Sequence, residues 1–188
     1  MPKLPASRQT ERLIFGISGR IGSGKTTAAQ YLVRAHGFKY LRYSQVLAEW
    51  QAANPTDKAR LQEVGWEVMG SGMQKDLNSR LIARIDNVSS YAIDGLRHPT
   101  DFESLEKQFP RDFHLLFINC PDALRWQRLR GRFKTFAEFQ EADSHPVEQQ
   151  LSVLQRRAEF TLDDSGTESG LFREIEIALR KIRRVVRQ

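Results

Sequence analysis

Apolar residues along this chain recur at two periods, and the alternation between them predicts its architecture. Leu13-Ile14-Phe15-Gly16-Ile17-Ser18 and Phe113-His114-Leu115-Leu116-Phe117-Ile118 are short, nearly continuous apolar runs, as expected of strands covered on both faces. Residues 38–43 alternate and are rich in aromatics, residues 90–94 form a short apolar run ending in an acid, and Phe160-Thr161-Leu162 reads as a fifth strand. Between these runs the apolar positions fall at helical spacing. Helices are predicted over about residues 25–36, over 44–53 with Ser44 as N-cap and Asn54-Pro55 as breaker, and over 57–69 and 73–87, the last two separated by Gly70-Ser71-Gly72. Further helices are predicted from a capping box at Thr100 and Glu103, over 123–131, from a second box at Thr135 and Glu138, and from Pro146. The last, from Glu168 to about Val186, carries Leu171, Ile175, Leu179 and Ile182 on one broad face.

Strands alternating with helices predict one α/β domain around a parallel sheet. Ligands in such sheets bind at the carboxyl ends of the strands. Three segments begin there: residues 19–26, residues 94–97 and residues 120–132. Their convergence predicts a single cleft.

The first segment carries the most specific signal in the chain. Gly19-Arg20-Ile21-Gly22-Ser23-Gly24-Lys25-Thr26 fits the phosphate-loop template G-x-x-x-x-G-K-[ST] at every fixed position, between a strand and a helix as the template requires. Gly19, Gly22 and Gly24 let the loop backbone approach phosphate oxygens, and the amides from Ser23 through Thr27 lie where a helix N-terminus cradles them. Lys25 supplies a mobile positive charge, and the Thr26 hydroxyl can ligate Mg²⁺. Asp94 stands where a carboxylate holds that ion or acts as base. Arg97 can clamp an anionic acceptor group with two parallel hydrogen bonds. Arg128 and Arg132, four apart, are expected on one helix face above the transferring phosphoryl group, with Arg125 and Arg130 as a solvated basic face.

Composition narrows the partners. The formal charge of +6 suits polyanionic ligands. The basic run Arg180, Lys181, Arg183, Arg184 and Arg187 interleaves with Leu179, Ile182, Val185 and Val186, so it reads as the wet face of a docked helix and not as a nucleic-acid tail. Cys120 alone excludes an intramolecular disulfide and suits a cytoplasmic setting, with the thiol expected to be a small buried hydrophobe. His36, His98, His114 and His145 lack zinc-ligand spacing. No apolar window is long enough to span a membrane, and residues 1–11 read as a flexible leader.

Residues 15–28 resemble the opening of dephospho-CoA kinases, and Asp94-Gly95-Leu96-Arg97 resembles the D-G-x-x-R segment of nucleoside monophosphate kinases, one residue shorter. The run LLFINCPDALRWQRLRGR, ending at Arg132, is similar to their strand, proline-aspartate turn and R-x-x-x-R lid entry. The resemblance covers about residues 12–182. It implies a three-layer P-loop NTPase fold with a five-stranded parallel sheet in order 2-3-1-4-5, ATP with Mg²⁺, an acceptor subdomain over 44–87 and a lid over about 128–146. It also implies that Arg97 meets an acceptor phosphate while Arg128 and Arg132 lie over the nucleotide. The acid that dephospho-CoA kinases carry after their second strand is replaced by Tyr43-Ser44-Gln45, leaving Ser44 to face the acceptor. The implied activity is phosphoryl transfer from ATP to a nucleotide-like acceptor, by a monomer or homodimer. The alternative class is an ATP-binding regulatory or partner-binding module.

Overall fold

The structure, a computed structural model, describes residues 12–54 and 56–185. The expected leader, the Pro55 breaker, Val186 and Arg187 lie outside these residues. Five parallel strands, β1 (Ile14–Ser18), β2 (Lys39–Arg42), β3 (Tyr91–Leu96), β4 (Phe113–Asn119) and β5 (Phe160–Asp163), form one sheet in the order β2-β3-β1-β4-β5. This is the expected order. The helices are α1 (Lys25–His36), α2 (Tyr43–Trp50), α3 (Lys58–Gly70), α4 (Gln74–Ile82), α5 (Pro99–Gln108), α6 (Asp122–Leu129), α7 (Phe136–Ser144), α8 (Pro146–Gln149), α9 (Leu151–Arg157) and α10 (Glu168–Val185).

Because side chains alternate along a strand, each central strand feeds two cores. Ile14, Tyr91, Ile93, Leu115 and Phe117 pack under α2, α3, α4, α5 and α9. Phe15, Ile17, Ala92, Leu116 and Ile118 pack under α1 and α10. The same alternation puts Asp94 on the Ala92 side, which α1 covers. This parity decides the chemistry of the site.

Several boundaries differ from the sequence expectation, each for a local reason. Asp94 is not the end of β3. Gly95, at φ 92°, forms a bulge opposite Ile17 and Ser18 and lets the strand continue to Leu96, whose carbonyl accepts from Ser18 Oγ at 2.9 Å. Helix α2 starts one residue early, with Arg42 at the cap position, so Ser44 is no N-cap. Helix α4 stops at Ile82 because Asp86 Oδ1 draws the amides of Val88 and Ser89 into a turn. The box that opens α5 is His98 with Asp101, not Thr100 with Glu103: His98 Nδ1 accepts from Thr100 N, and Asp101 Oδ2 accepts from His98 N at 2.9 Å. Thr135 does cap α7, accepting from Glu138 N. The helix expected from Pro146 is broken in two at Gln150. Helix α6 ends at Leu129, so Arg132 lies in the following turn and does not share a helix face with Arg128.

Candidate active site

The loop between β1 and α1 wraps over the sheet's carboxyl edge. Gly24, at φ 91°, is the N-cap of α1, and a Cβ there would stand 2.3 Å from Asp164 Oδ2, so both conformation and space demand glycine. Lys25 folds back over the loop, its Nζ donating to the carbonyls of Gly19 and Arg20 at 2.7 Å each. Burial, reinforced by the charge of Arg97, brings the Lys25 pKa down to about 7.

Beside it, the first turn of α1 sets Thr26 against β3. Thr26 Oγ1 donates to Asp94 Oδ2 at 2.7 Å, and Tyr40 OH, reaching across from β2, donates to the same oxygen at 2.8 Å. Burial and the Asp94 charge push the Tyr40 pKa up, which keeps its proton on as a donor. Arg42 Nε stands 3.7 Å from Asp94 Oδ2. Asp94 is 2% exposed. Among the described residues no group of three or more His, Cys, Asp or Glu could hold a metal. Thr26 and Asp94 instead pair one hydroxyl with one carboxylate, the sparse oxygen set that suits an ion keeping most of its waters.

A cavity of about 470 Å³ runs from the loop into the space under α2, α3 and α4. Gly22, Ser23, Gly24, Lys25, Thr26 and Thr27 form its near wall, and Asp94, Arg97, Arg128, Arg132 and Ser44 also line it. Gly19 stands behind the wall, reaching it through the carbonyl that Lys25 holds. The convergence expected from the three strand ends is therefore present. Away from the loop its lining mixes apolar Leu47, Leu61, Met69, Leu77 and Val147 with polar Gln62, Gln74 and Asp101.

The arginines differ from expectation. Arg97, in the cavity wall, is already ion-paired with Glu148 of α8. Burial lowers the Arg97 pKa to about 10. Arg128 is held by two hydrogen bonds to Asp164, at 2.6 and 3.1 Å, which hold its pKa up. The Arg132 guanidinium lies 4.9 Å from the centre of the Phe133 ring. Arg125 corrects the expected solvated face: it is 0% exposed, paired with Asp122 and Asp143, and donates to the carbonyl of Ile21 in the phosphate loop. Arg130 is exposed. Cys120 is buried, as expected.

Sequence reasoning missed Tyr40, Arg42, Glu148 and Asp164. Asp164 had a signal, since it follows β5 at the sheet's carboxyl edge. Glu148 had none, because nothing near it in the chain marks it as inward-facing.

A parallel sheet in this order, with a phosphate loop after β1, is the P-loop NTPase fold. The chain matches the model of an AAA-domain family over residues 16–145, more than half its length, and belongs to that family. A curated relative, a UPF0200/UPF0201 protein of Archaeoglobus fulgidus, is 26% identical over 184 residues; the match covers 92% of this chain, which spans 56% of that relative's length. Among solved structures the chain resembles a shikimate kinase of Acinetobacter baumannii in complex with shikimate, with a TM-score of 0.64, 17% identity and coverage of 92% and 96% of the two chains. It also resembles a gluconokinase of Sinorhizobium meliloti, with a TM-score of 0.57, 17% identity and 95% coverage of each. At these identities the likeness concerns the fold. No described helix is long and apolar enough to cross a membrane.

Proposed function

We propose that this protein transfers a phosphoryl group from ATP to a nucleotide-like acceptor, of the nucleoside or deoxynucleoside monophosphate or dephospho-CoA type. The observation that carries the reading is one continuous cavity in which the phosphate loop and the Thr26–Asp94 pair stand beside further space lined by side chains of α2, α3 and α4. A nucleotide-binding switch needs the space at the loop and has no use for the rest.

In this reading Gly19, Gly22, Ser23, Gly24 and Thr27 shape the loop whose amides hold the ATP phosphates. Lys25 leaves the carbonyls of Gly19 and Arg20 to meet them. Thr26 and Asp94 would hold the magnesium ion that accompanies ATP, which when bound neutralises charge on the β- and γ-phosphates. Ser44 and Arg97 face the acceptor, in a subdomain over 44–87. Arg128 and Arg132 approach the nucleotide from the segment 128–146 that would form the lid. The bond from the γ-phosphorus to the bridging oxygen breaks as a bond to an acceptor oxygen forms, and catalysis is chiefly positioning and charge neutralisation.

The test is product formation from ATP and Mg²⁺ with a panel of ribo- and deoxynucleoside monophosphates and dephospho-CoA. Lys25→Ala is expected to abolish turnover. Arg97→Ala is expected to raise the acceptor KM far more than the ATP KM, and the reverse order would reassign Arg97 to the nucleotide. Tight ATP binding with no transfer to any acceptor would favour the regulatory module instead.

A further inference from the structure

Two glutamines line the cavity away from the phosphate loop, and each has its amide nitrogen committed to the protein. Gln74, the first residue of α4, is 6% exposed, and its Nε2 donates to Asp101 Oδ1 at 2.5 Å. Asp101 Oδ2 in turn accepts from the amides of Arg97 and His98, at 3.0 and 2.9 Å. Burial pushes the Asp101 pKa up, and these three N–H donors draw it back toward the ionised form. A carboxylate only accepts, so it fixes which end of the Gln74 amide faces it. One turn along α4, Asn78 Oδ1 accepts from Tyr43 OH at 2.8 Å and Asn78 Nδ2 donates to Thr100 O at 3.1 Å, which holds the helix that carries Gln74 between α2 and α5. The Gln74 amide cannot turn over without losing Asp101.

Gln62, on α3, is held in the same sense. Its Nε2 donates to the carbonyl of Ala142 at 3.0 Å, a partner that again can only accept. In both residues the nitrogen is used and the oxygen is left over: no described group donates to Gln74 Oε1 or Gln62 Oε1, and neither oxygen is among the unpartnered polar atoms sealed inside the protein. For Gln74, otherwise buried, the opening is the cavity, and Gln62 lines the same space. Polar atoms that a ligand covers need partners, so whatever fills this end has to bring hydrogen-bond donors. Two oxygens call for two of them. A ring amino group carries two N–H on one nitrogen, whereas the edge of uracil or thymine offers one N–H between two carbonyl oxygens and would set a carbonyl against a glutamine oxygen. The apolar side chains of Leu47, Leu61 and Leu77 in the same lining suit the faces of a flat ring.

We infer that Gln74, with Gln62, determines the specificity of the acceptor end, its fixed amide oxygen accepting from the ring amino group of an aminated nucleobase. The inference rests on the kinase reading above and selects within it, favouring acceptors whose base carries an exocyclic amino group over counterparts with a carbonyl in its place.

Nucleotide pairs that exchange an amino group for a carbonyl test it on the full chain: CMP against UMP, and AMP against IMP. With the phosphate loop saturated by a non-hydrolysable ATP analogue and Mg²⁺, titration calorimetry is expected to show the amino member binding about tenfold or more tighter than its counterpart. Gln74→Met, which keeps the length of the side chain and removes the amide, is expected to bring the members of a pair to within about threefold by weakening the amino one. Gln62→Met, at a less buried position, should narrow the gap in the same direction, so the outcome does not hang on one buried substitution. Equal affinities within both pairs, tighter binding of the carbonyl members, a preference that survives both substitutions, or no binding of any of the four would overturn the inference. Phosphorus NMR of transfer from ATP to the same four and to dephospho-CoA separates it from the kinase reading. Transfer to both members of a pair with equal kcat/KM would overturn the inference and leave the kinase reading standing. An amino preference in binding with no transfer to any of the five would keep the glutamine site and overturn the kinase reading.

Discussion

The guanidinium of Arg125 and the carboxylate of Asp143 are joined by two hydrogen bonds, Nη1 to Oδ1 at 2.6 Å and Nη2 to Oδ2 at 2.9 Å, in a position where the arginine is cut off from solvent. The pair ties α6 to the end of α7. Asp143 also accepts from Arg20 Nε and Nη2, and Arg125 donates to Ile21 O at 3.0 Å, so the outer turn of the phosphate loop is gripped by the same cluster. Burial disfavours the charge on Asp143, but the hydrogen bonds from Arg125 and Arg20 outweigh it and hold its pKa below the ordinary carboxylate value.

Removing one member of this cluster strands the other charges. Arg125→Ala is expected to destabilise the fold by about 3–5 kcal/mol in denaturant titration. Arg130→Ala, at an exposed position five residues on, should stay within about 0.5 kcal/mol of the parent. Equal effects at the two positions would mean that the buried cluster carries no special weight.

Lys25 makes nucleotide binding and pH interdependent. Its pKa near 7 in the folded protein lies below the ordinary value of 10.5, so between those limits the unfolded chain holds a proton that the native one has released. The contribution of Lys25 to stability therefore rises with pH across that window and is least favourable below it. Phosphates facing the amine would restore its proton. Calorimetry in buffers of different ionisation enthalpy should accordingly record uptake of roughly one proton per Mg-ATP bound near about pH 8.5, fading toward about pH 6 and absent in Lys25→Met. Proton release on binding would contradict the depressed pKa.

Asp94 accepts from Thr26 Oγ1 and Tyr40 OH through a single oxygen. With its charge removed by Asp94→Asn, the concentration of Mg²⁺ needed for half-maximal ATP turnover should rise about 10–100-fold while the fold is retained. Tyr40→Phe, which leaves the carboxylate in place, should shift that concentration less. An unchanged Mg²⁺ requirement in Asp94→Asn would remove Asp94 from the metal site.

The apolar face of α10 is a structural surface. Ile182 is 2% exposed and packs in the cluster between α1, α10 and the sheet, so Ile182→Ala is expected to cost about 2–5 kcal/mol in thermal or chemical unfolding. Micromolar, salt-sensitive binding of DNA or RNA by the parent protein would give the basic face of this helix a role beyond solvation.

What could be read from the chain alone was what depends on neighbours in sequence. The phosphate loop was legible because its chemistry is made by consecutive backbone amides and by Lys25 and Thr26 at fixed offsets. The strands β1 and β4 were legible because burial on both faces leaves an unbroken apolar run. The order of the sheet came from resemblance, since no local pattern says which strand lies beside which.

Tertiary structure decided everything that depends on two distant segments meeting. Strand parity turned Asp94 toward Thr26, 68 positions away in the chain. An arginine on a polar stretch of helix is solvated by default, and Arg125 became the largest fully buried side chain among the described residues only because Asp143 and the Ile21 carbonyl arrive from other elements to satisfy it. Glu148 follows the same logic, because a carboxylate can be buried where a guanidinium meets it. That meeting is set by how α8 packs against α3 and α7 and not by any residue beside Glu148 in the chain.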